Sequence, residues 1–163
     1  MISDFNITTA QRAHVPAIHA MVRELAVYEK LEHLVSGDAA AMERELFNER
    51  PIIEAIVALV DNEPLAFALY FHNYSTFLVR RGLYLEDLYV RPAFRRRGMG
   101  RALLLQLART AVQRGCGRFE WSVLDWNTPA IEFYERLGAT VMPEWRIARV
   151  TGDALNNMAA LKF

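Results

Sequence analysis

Two hydrophobic periods alternate along the chain. After a first strand expected at 5–9 ("FNITT"), Val15, Ile18, Met21, Val22, Leu25 and Tyr28 recur at near-helical spacing and predict a helix over 14–31. A second helix is predicted over about 36–48, with Ser36 or Asp38 as its N-cap and Pro51 as its stop. "IIEAIVALV" and "LAFALYFHNY" are apolar runs separated by "DNEP", the pattern of a hairpin. After a loop at 75–81, "GLYLEDLYV" (82–90) reads as a fourth strand that Pro92 stops. From Gly98 to Gln113 the period turns helical, through Leu103, Leu104, Leu107, Ala108 and Ala111, and Gly115 and Gly117 close the helix. "RFEWSVL" (118–124) is a fifth strand. Asn127 as N-cap, Pro129 in the first turn and Gly138 past the end bound a short helix. Weaker strands are expected near 139–142, 146–151 and 157–162. Strand–helix–strand over 83–124 implies a right-handed crossover and a parallel pair, whereas the hairpin implies antiparallel pairing. The fold class is therefore α/β: a mixed, mostly antiparallel central sheet flanked by helices.

Composition narrows the picture. At 163 residues the chain is expected to form a single domain over 1–163 with a real core. Its formal net charge is zero, which argues against bulk electrostatic binding to nucleic acid or an anionic membrane. The basic charge is uneven: Lys30 and Lys162 are the only lysines, and Arg91, Arg95, Arg96, Arg97 and Arg101 crowd one segment. Arginine is suited to bidentate phosphate contacts. Cys116 is the sole cysteine, which fits a reducing cytoplasm, and "MISDFNITTA" carries neither the basic nor the apolar region of a signal peptide. The longest apolar runs are too short to span a bilayer. His14, His19, His33 and His72 are scattered, so no metal site is expected.

The chemistry concentrates in "LYLEDLYVRPAFRRRGMGRALLLQLA" (83–108). A strand, a glycine-bearing turn and a helix start make an anion site, because the first helical turn has unpaired N–H groups and a positive dipole end. Gly98 and Gly100 allow close approach to the backbone, and the arginines add charge. The same features also suit a solvated arginine loop. No G-x-x-x-x-G-K-[ST] string exists, and a G-x-G-x-x-G fingerprint fails at Leu103, so nucleotide-dependent readings rank last. Upstream, Glu86 and Asp87 sit in an apolar strand, where a carboxylate is costly unless used or paired. Strict alternation places Glu86 on the face of Tyr84, Leu88 and Val90, and Asp87 with Leu85 and Tyr89.

Arg95-x-x-Gly98-x-Gly100 after "LYLEDLYV", followed by a strand and "WNTPAIEFYERLGA" (126–139), resembles the Gcn5-related N-acetyltransferase superfamily. "ELAVYE" (24–29), "LYLEDLYV", "WNTPAIEFYERLGA" and Trp145-Arg146 resemble its spermidine/spermine (diamine) branch, which includes thialysine acetyltransferases. The resemblance implies a parallel pair that splays, and acetyl-CoA as cosubstrate. Its pyrophosphate would lie on the turn of Arg95, Arg96, Arg97, Gly98, Met99, Gly100 and Arg101. Its acetyl and pantetheine groups would lie on main chain at Leu88, Tyr89 and Val90. Asn127, Thr128, Pro129 and Ala130 match a second cofactor-contacting segment.

Similar enzymes transfer the acetyl group directly, without an acyl-enzyme. Glu86 matches the position that accepts the amine proton and Tyr134 the acid that serves the leaving thiolate. Tyr28, Glu29, Glu86, Asp87 and Glu144 match positions expected around the amine. Glu24, Glu29, Glu32 and Asp38 also cluster around the first helix, and read equally as a solvated face. Similar polyamine enzymes carry several carboxylates before the Trp-Arg pair, whereas the short segment "VMPEWR" holds only Glu144. This departure weakens the case for a long polyamine and leaves smaller diamines, thialysine-like amino acids or another amine open. Tyr134 could alternatively be ordinary core, and Trp121 and Trp126 read as packing residues. Homodimers with intertwined C-terminal strands are common in the branch. Competing readings are a protein lysine or N-terminal acetyltransferase and a non-catalytic acyl-CoA-binding domain.

Overall fold

The computed structural model describes residues 5–162; the first four residues of the segment read for a leader lie outside them. The chain forms two compact units, one within Met1–Ser122 and one within Val123–Phe163. The first holds a five-stranded sheet in sequential order: β1 (Asn6–Thr9), β2 (Ile53–Val60), β3 (Glu63–Ser75), β4 (Arg80–Val90) and β5 (Phe119–Trp121). The first four strands pair antiparallel and β4–β5 pair parallel, as the crossover predicts.

The β2–β3 hairpin closes on Asp61-Asn62, both at positive φ (48° and 65°), between the paired residues Val60 and Glu63. Two left-handed residues give the tight turn whose twist matches the strands, and Asp and Asn tolerate that conformation. Two helices precede the hairpin, α1 (Val15–Glu29) and α2 (Ala39–Phe47). Of the two N-cap candidates for α2 it is Asp38 that serves, accepting the Ala41 N–H at 2.7 Å. Val15, Ile18 and Met21 of α1 and Leu46 of α2 bury against Val57, Phe67, Leu69 and Tyr89 of the sheet. A third helix, α3 (Met99–Gln113), packs on β2, β3 and β4 through buried Leu103, Leu104 and Leu107.

The second unit contains α4 (Thr128–Glu135) and α5 (Gly152–Ala159). Here the expected tail strands are corrected. Residues 139–142 and 146–151 pair with no strand among the described residues, and 152–159 are helical. Thr151 is an extended N-cap, Asp153 sits in the first turn, and Leu155, Met158 and Ala159 fall at a helical rather than an alternating period. Similarly, β5 covers three residues instead of the seven expected at 118–124.

Candidate active site

The site begins with an interruption in β4. Leu69 pairs with Asp87 and Tyr70 with Leu85, so Glu86 is the extra residue of a β-bulge. This overturns strict alternation. Cross-strand partners share a face, so Tyr84 opposite Phe71 and Asp87 opposite Leu69 both lie on the α1 side. Leu85, opposite Tyr70, lies on the other side, away from Asp87. The bulge thus parts Asp87 from the face of Leu85, keeps it on that of Tyr89, and leaves Glu86 exposed.

A second interruption lies on the opposite edge. β5 pairs only with Leu83, Tyr84 and Leu85, so no described strand pairs with that edge of β4 from Glu86 to Val90. The Arg91 N–H donates to the Leu65 carbonyl at 3.0 Å, which fixes the alternation of the ladder above the bulge. By that alternation Leu88 and Val90 direct their backbone groups away from β3, toward the open edge. An extended ligand arm can pair there as another strand would.

Beside this edge Asp87 feels the charges of two other carboxylates, Glu86 and Glu29. Asp87 is pushed up to about 6, first by burial and then by the charges of Glu86 and Glu29. Burial also raises Glu29, at the last turn of α1. None of the ion pairs found among the described residues includes Glu29, Glu86 or Asp87. The other acids around α1 have other roles. Glu24 lies 3.3 Å from the Arg91 guanidinium and Asp38 caps α2.

The turn after β4 leads into α3 as an anion site requires. Gly98 is the N-cap at φ 87°, no side chain caps the first turn, and an added Cβ would meet no atom within 4 Å. Space is open beside Gly98, and Arg96, Arg97 and Arg101 are exposed around the turn. Met99 is buried beneath, and the Arg97 guanidinium lies 5.2 Å from the Phe94 ring. Arg95 is turned back from the turn: its Nε–H donates to the Val90 carbonyl at 3.0 Å. Donor-binding features, an open strand edge and an uncapped helix start, thus fit an acyl-CoA arm and its pyrophosphate.

In the second unit Asn127 is the N-cap of α4, Pro129 lies in its first turn, and the Asn127 carbonyl accepts from Ala130 and Ile131. Tyr134 sits in the last turn of α4 with its ring 5.4 Å from that of Phe133. Glu144 lies in the exposed tail between the two helices. Among the described residues no cluster of His, Cys, Asp or Glu could hold a metal ion, and no helix is long and apolar enough to cross a membrane.

Sequence reasoning missed the bulge, since a single extra residue leaves no mark on the hydrophobic pattern. It also missed a cluster on the α3 side of the sheet. There Arg114 forks onto Glu54, with one contact at 2.8 Å, and also donates to His72 Nε2 at 3.0 Å. His72 Nδ1 in turn donates to the Gly82 carbonyl, and the Tyr70 hydroxyl donates to Glu54.

Comparison with known proteins agrees with this geometry. Residues 18–139 match the acetyltransferase (GNAT) family. An L-ornithine N5-acetyltransferase of Arabidopsis thaliana is 34% identical, the alignment covering 96% of this chain and 89% of that protein. A thialysine N-epsilon-acetyltransferase of Caenorhabditis elegans is 35% identical over 97% of this chain and 99% of its own. Among solved structures, an integron cassette protein from Vibrio cholerae superposes with a TM-score of 0.81 at 25% identity, covering 97% of this chain and 99% of that one. The chain belongs to the GNAT acetyltransferase family, on the branch of the thialysine and spermidine/spermine enzymes.

Proposed function

We propose that the protein transfers the acetyl group of acetyl-CoA directly to a primary amine of a small diamine or thialysine-like amino acid. The observation that carries this reading is the set of Glu29, Glu86 and Asp87 by the open edge of β4, carboxylates that act on Asp87 together and enter no ion pair found among the described residues. A substrate ammonium supplies the missing positive charge. Relatives named for ornithine and thialysine, both small cationic amines, support the substrate class.

The donor's pyrophosphate would rest on the N–H groups of Gly98 to Arg101, with Arg96 and Arg97 around it, and its arm along Leu88, Tyr89 and Val90. Asn127, Thr128, Pro129 and Ala130 would hold a further part of the donor. The amine, with a solution pKa of about 10, must lose a proton before attack. Glu86 accepts it, while Tyr28, Glu29, Asp87 and Glu144 hold the cation. The nitrogen lone pair then forms the C–N bond at the thioester carbonyl. As the tetrahedral intermediate collapses, the C–S bond breaks, the thiolate takes a proton from Tyr134, and the nitrogen gives up its second proton to solvent, which restores the phenol. No step needs a metal or a covalent enzyme intermediate.

The family match runs through the division at residue 122, which supports one catalytic domain over 1–163. Exposed apolar residues of the second unit, Trp145, Ile147, Leu155, Met158 and Leu161, support a homodimer, which light scattering would test. The single half-buried Cys116 suits a reducing cytoplasm. The test of function is thiol release from acetyl-CoA with ornithine, thialysine, putrescine, spermidine, lysine and a lysine peptide. Turnover with a small amine, lost in Glu86→Gln and Tyr134→Phe, is the expected result. Turnover with the peptide alone would replace this reading with protein acetylation.

A further inference from the structure

We propose that Arg95 is a positioning residue that ties the donor edge of β4 to the amine-binding end of α1, so that one side chain sets both sites. The proposal rests on the acetyltransferase reading above but assigns Arg95 a task other than phosphate contact. The guanidinium carbon lies 5.3 Å from the Tyr28 ring centroid and 5.5 Å from that of Tyr89. Its Nε–H donates to the Val90 carbonyl at 3.0 Å. Three elements therefore meet on one planar cation: the last turn of α1, the end of β4, and the turn before α3.

Two consequences follow from this arrangement. The Val90 carbonyl points to the open edge, and Arg95 engages it. A donor arm pairing along β4 is then registered by the Leu88 N–H and carbonyl and the Val90 N–H, which selects one alignment of the arm. Tyr28 precedes Glu29, whose carboxylate influences Asp87, so a cation drawn to the acids acts on the residue beside Arg95's ring partner. Occupying either site holds Arg95 in place and favours occupation of the other.

The side chain suits this task in a way lysine would not. A planar guanidinium can stack on two rings while donating an in-plane N–H, whereas an ammonium offers a point charge and no flat face. Tyr89 is buried, at 5% exposure, and Glu24, which acts on its phenol, is anchored to Arg91, which also reaches Glu63 at 3.2 Å.

The test measures CoA affinity by calorimetry, with and without a saturating amount of the amine turned over fastest. The variants are Arg95→Met, which keeps the packing, Arg95→Lys, which keeps the charge, and Arg101→Ala as a phosphate-side control. The wild type should bind CoA about tenfold more tightly with amine present, a coupling of ordinary size. That factor should fall to near one in Arg95→Met and stay low in Arg95→Lys. Arg101→Ala should weaken CoA binding and keep the factor. A wild type that turns over but shows no coupling, or an Arg95→Met protein that keeps the tenfold factor, overturns the proposal alone. A wild type that acetylates no amine and binds no CoA overturns the acetyltransferase reading itself.

Discussion

The two carboxylate clusters on the sheet obey opposite rules. On the α3 side, Glu54 is held below the usual carboxylate range, chiefly by its hydrogen bonds from Arg114. Arg114 is raised in turn, and the phenol of Tyr70 is pushed up to about 12, first by burial and then by the Glu54 charge. Every charge there has a partner, and the cluster fastens the end of α3 to β2 and β3. On the α1 side, Asp87 is raised, beside two like charges. A cluster whose charges cancel contributes to folding alone. One whose like charges crowd opposes folding, and under the proposed function a substrate ammonium would bring the missing charge. The difference separates scaffold from site more sharply than carboxylate content does.

Breaking the site cluster should have the largest effect. Glu86→Gln is expected to lower kcat/KM about 100- to 1000-fold, the usual range for a lost general base, with little change in melting temperature. Steady-state kinetics with the preferred amine would check this. Asp87→Asn should next reveal the cost of the uncompensated charge. The folded protein holds the Asp87 proton up to about pH 6, while the unfolded chain releases it near the ordinary aspartate value of 3.8. Asp87 therefore supports folding fully only below the lower value, and that support is lost as pH rises through about 6. At pH 8 the asparagine variant should be more stable by on the order of 2 kcal/mol, and at pH 3.5 the gain should vanish. Urea unfolding at both pH values would measure it.

The scaffold cluster should behave in the reverse sense. Arg114→Ala is expected to lower stability by about 1 kcal/mol, a modest figure because the pair is partly exposed, while kcat/KM changes less than twofold. Denaturant midpoints and kinetics on the same preparation would show whether the two clusters separate in this way. The smallest effect is expected at Glu32, exposed beyond α1 and outside both clusters. Glu32→Gln should leave stability within about 0.5 kcal/mol and the amine KM unchanged. A raised KM there would extend the site cluster along the chain.

Much of the scaffold was legible because it is local. The helical period of α1 and α3, the cap at Asp38 and the hairpin at Asp61-Asn62 each follow from a few neighbouring residues. The glycine turn that opens α3 was legible for the same reason. Three features were not. The bulge at Glu86 is a property of the pairing between β3 and β4, so strict alternation placed Asp87 beside Leu85 instead of across from Leu69. The fold-back of Arg95 depends on two aromatic rings, one of which, Tyr28, is far away in sequence. In the tail, apolar content suggested strands, but strands need neighbours, and Leu155 and Met158 obey a helical spacing.

The central claim is that Glu29, Glu86 and Asp87 receive the amine as a cation, and proton counting tests it most directly. Calorimetry of amine binding to the CoA-loaded protein, repeated in buffers of different ionisation heat, gives the protons exchanged. At pH 6 an arriving ammonium should depress Asp87 and release about half a proton. That release should disappear at pH 8, where Asp87 is already ionised, and in Asp87→Asn at either pH. Amine binding with the same proton count at both pH values, unaltered in Asp87→Asn, would contradict the account.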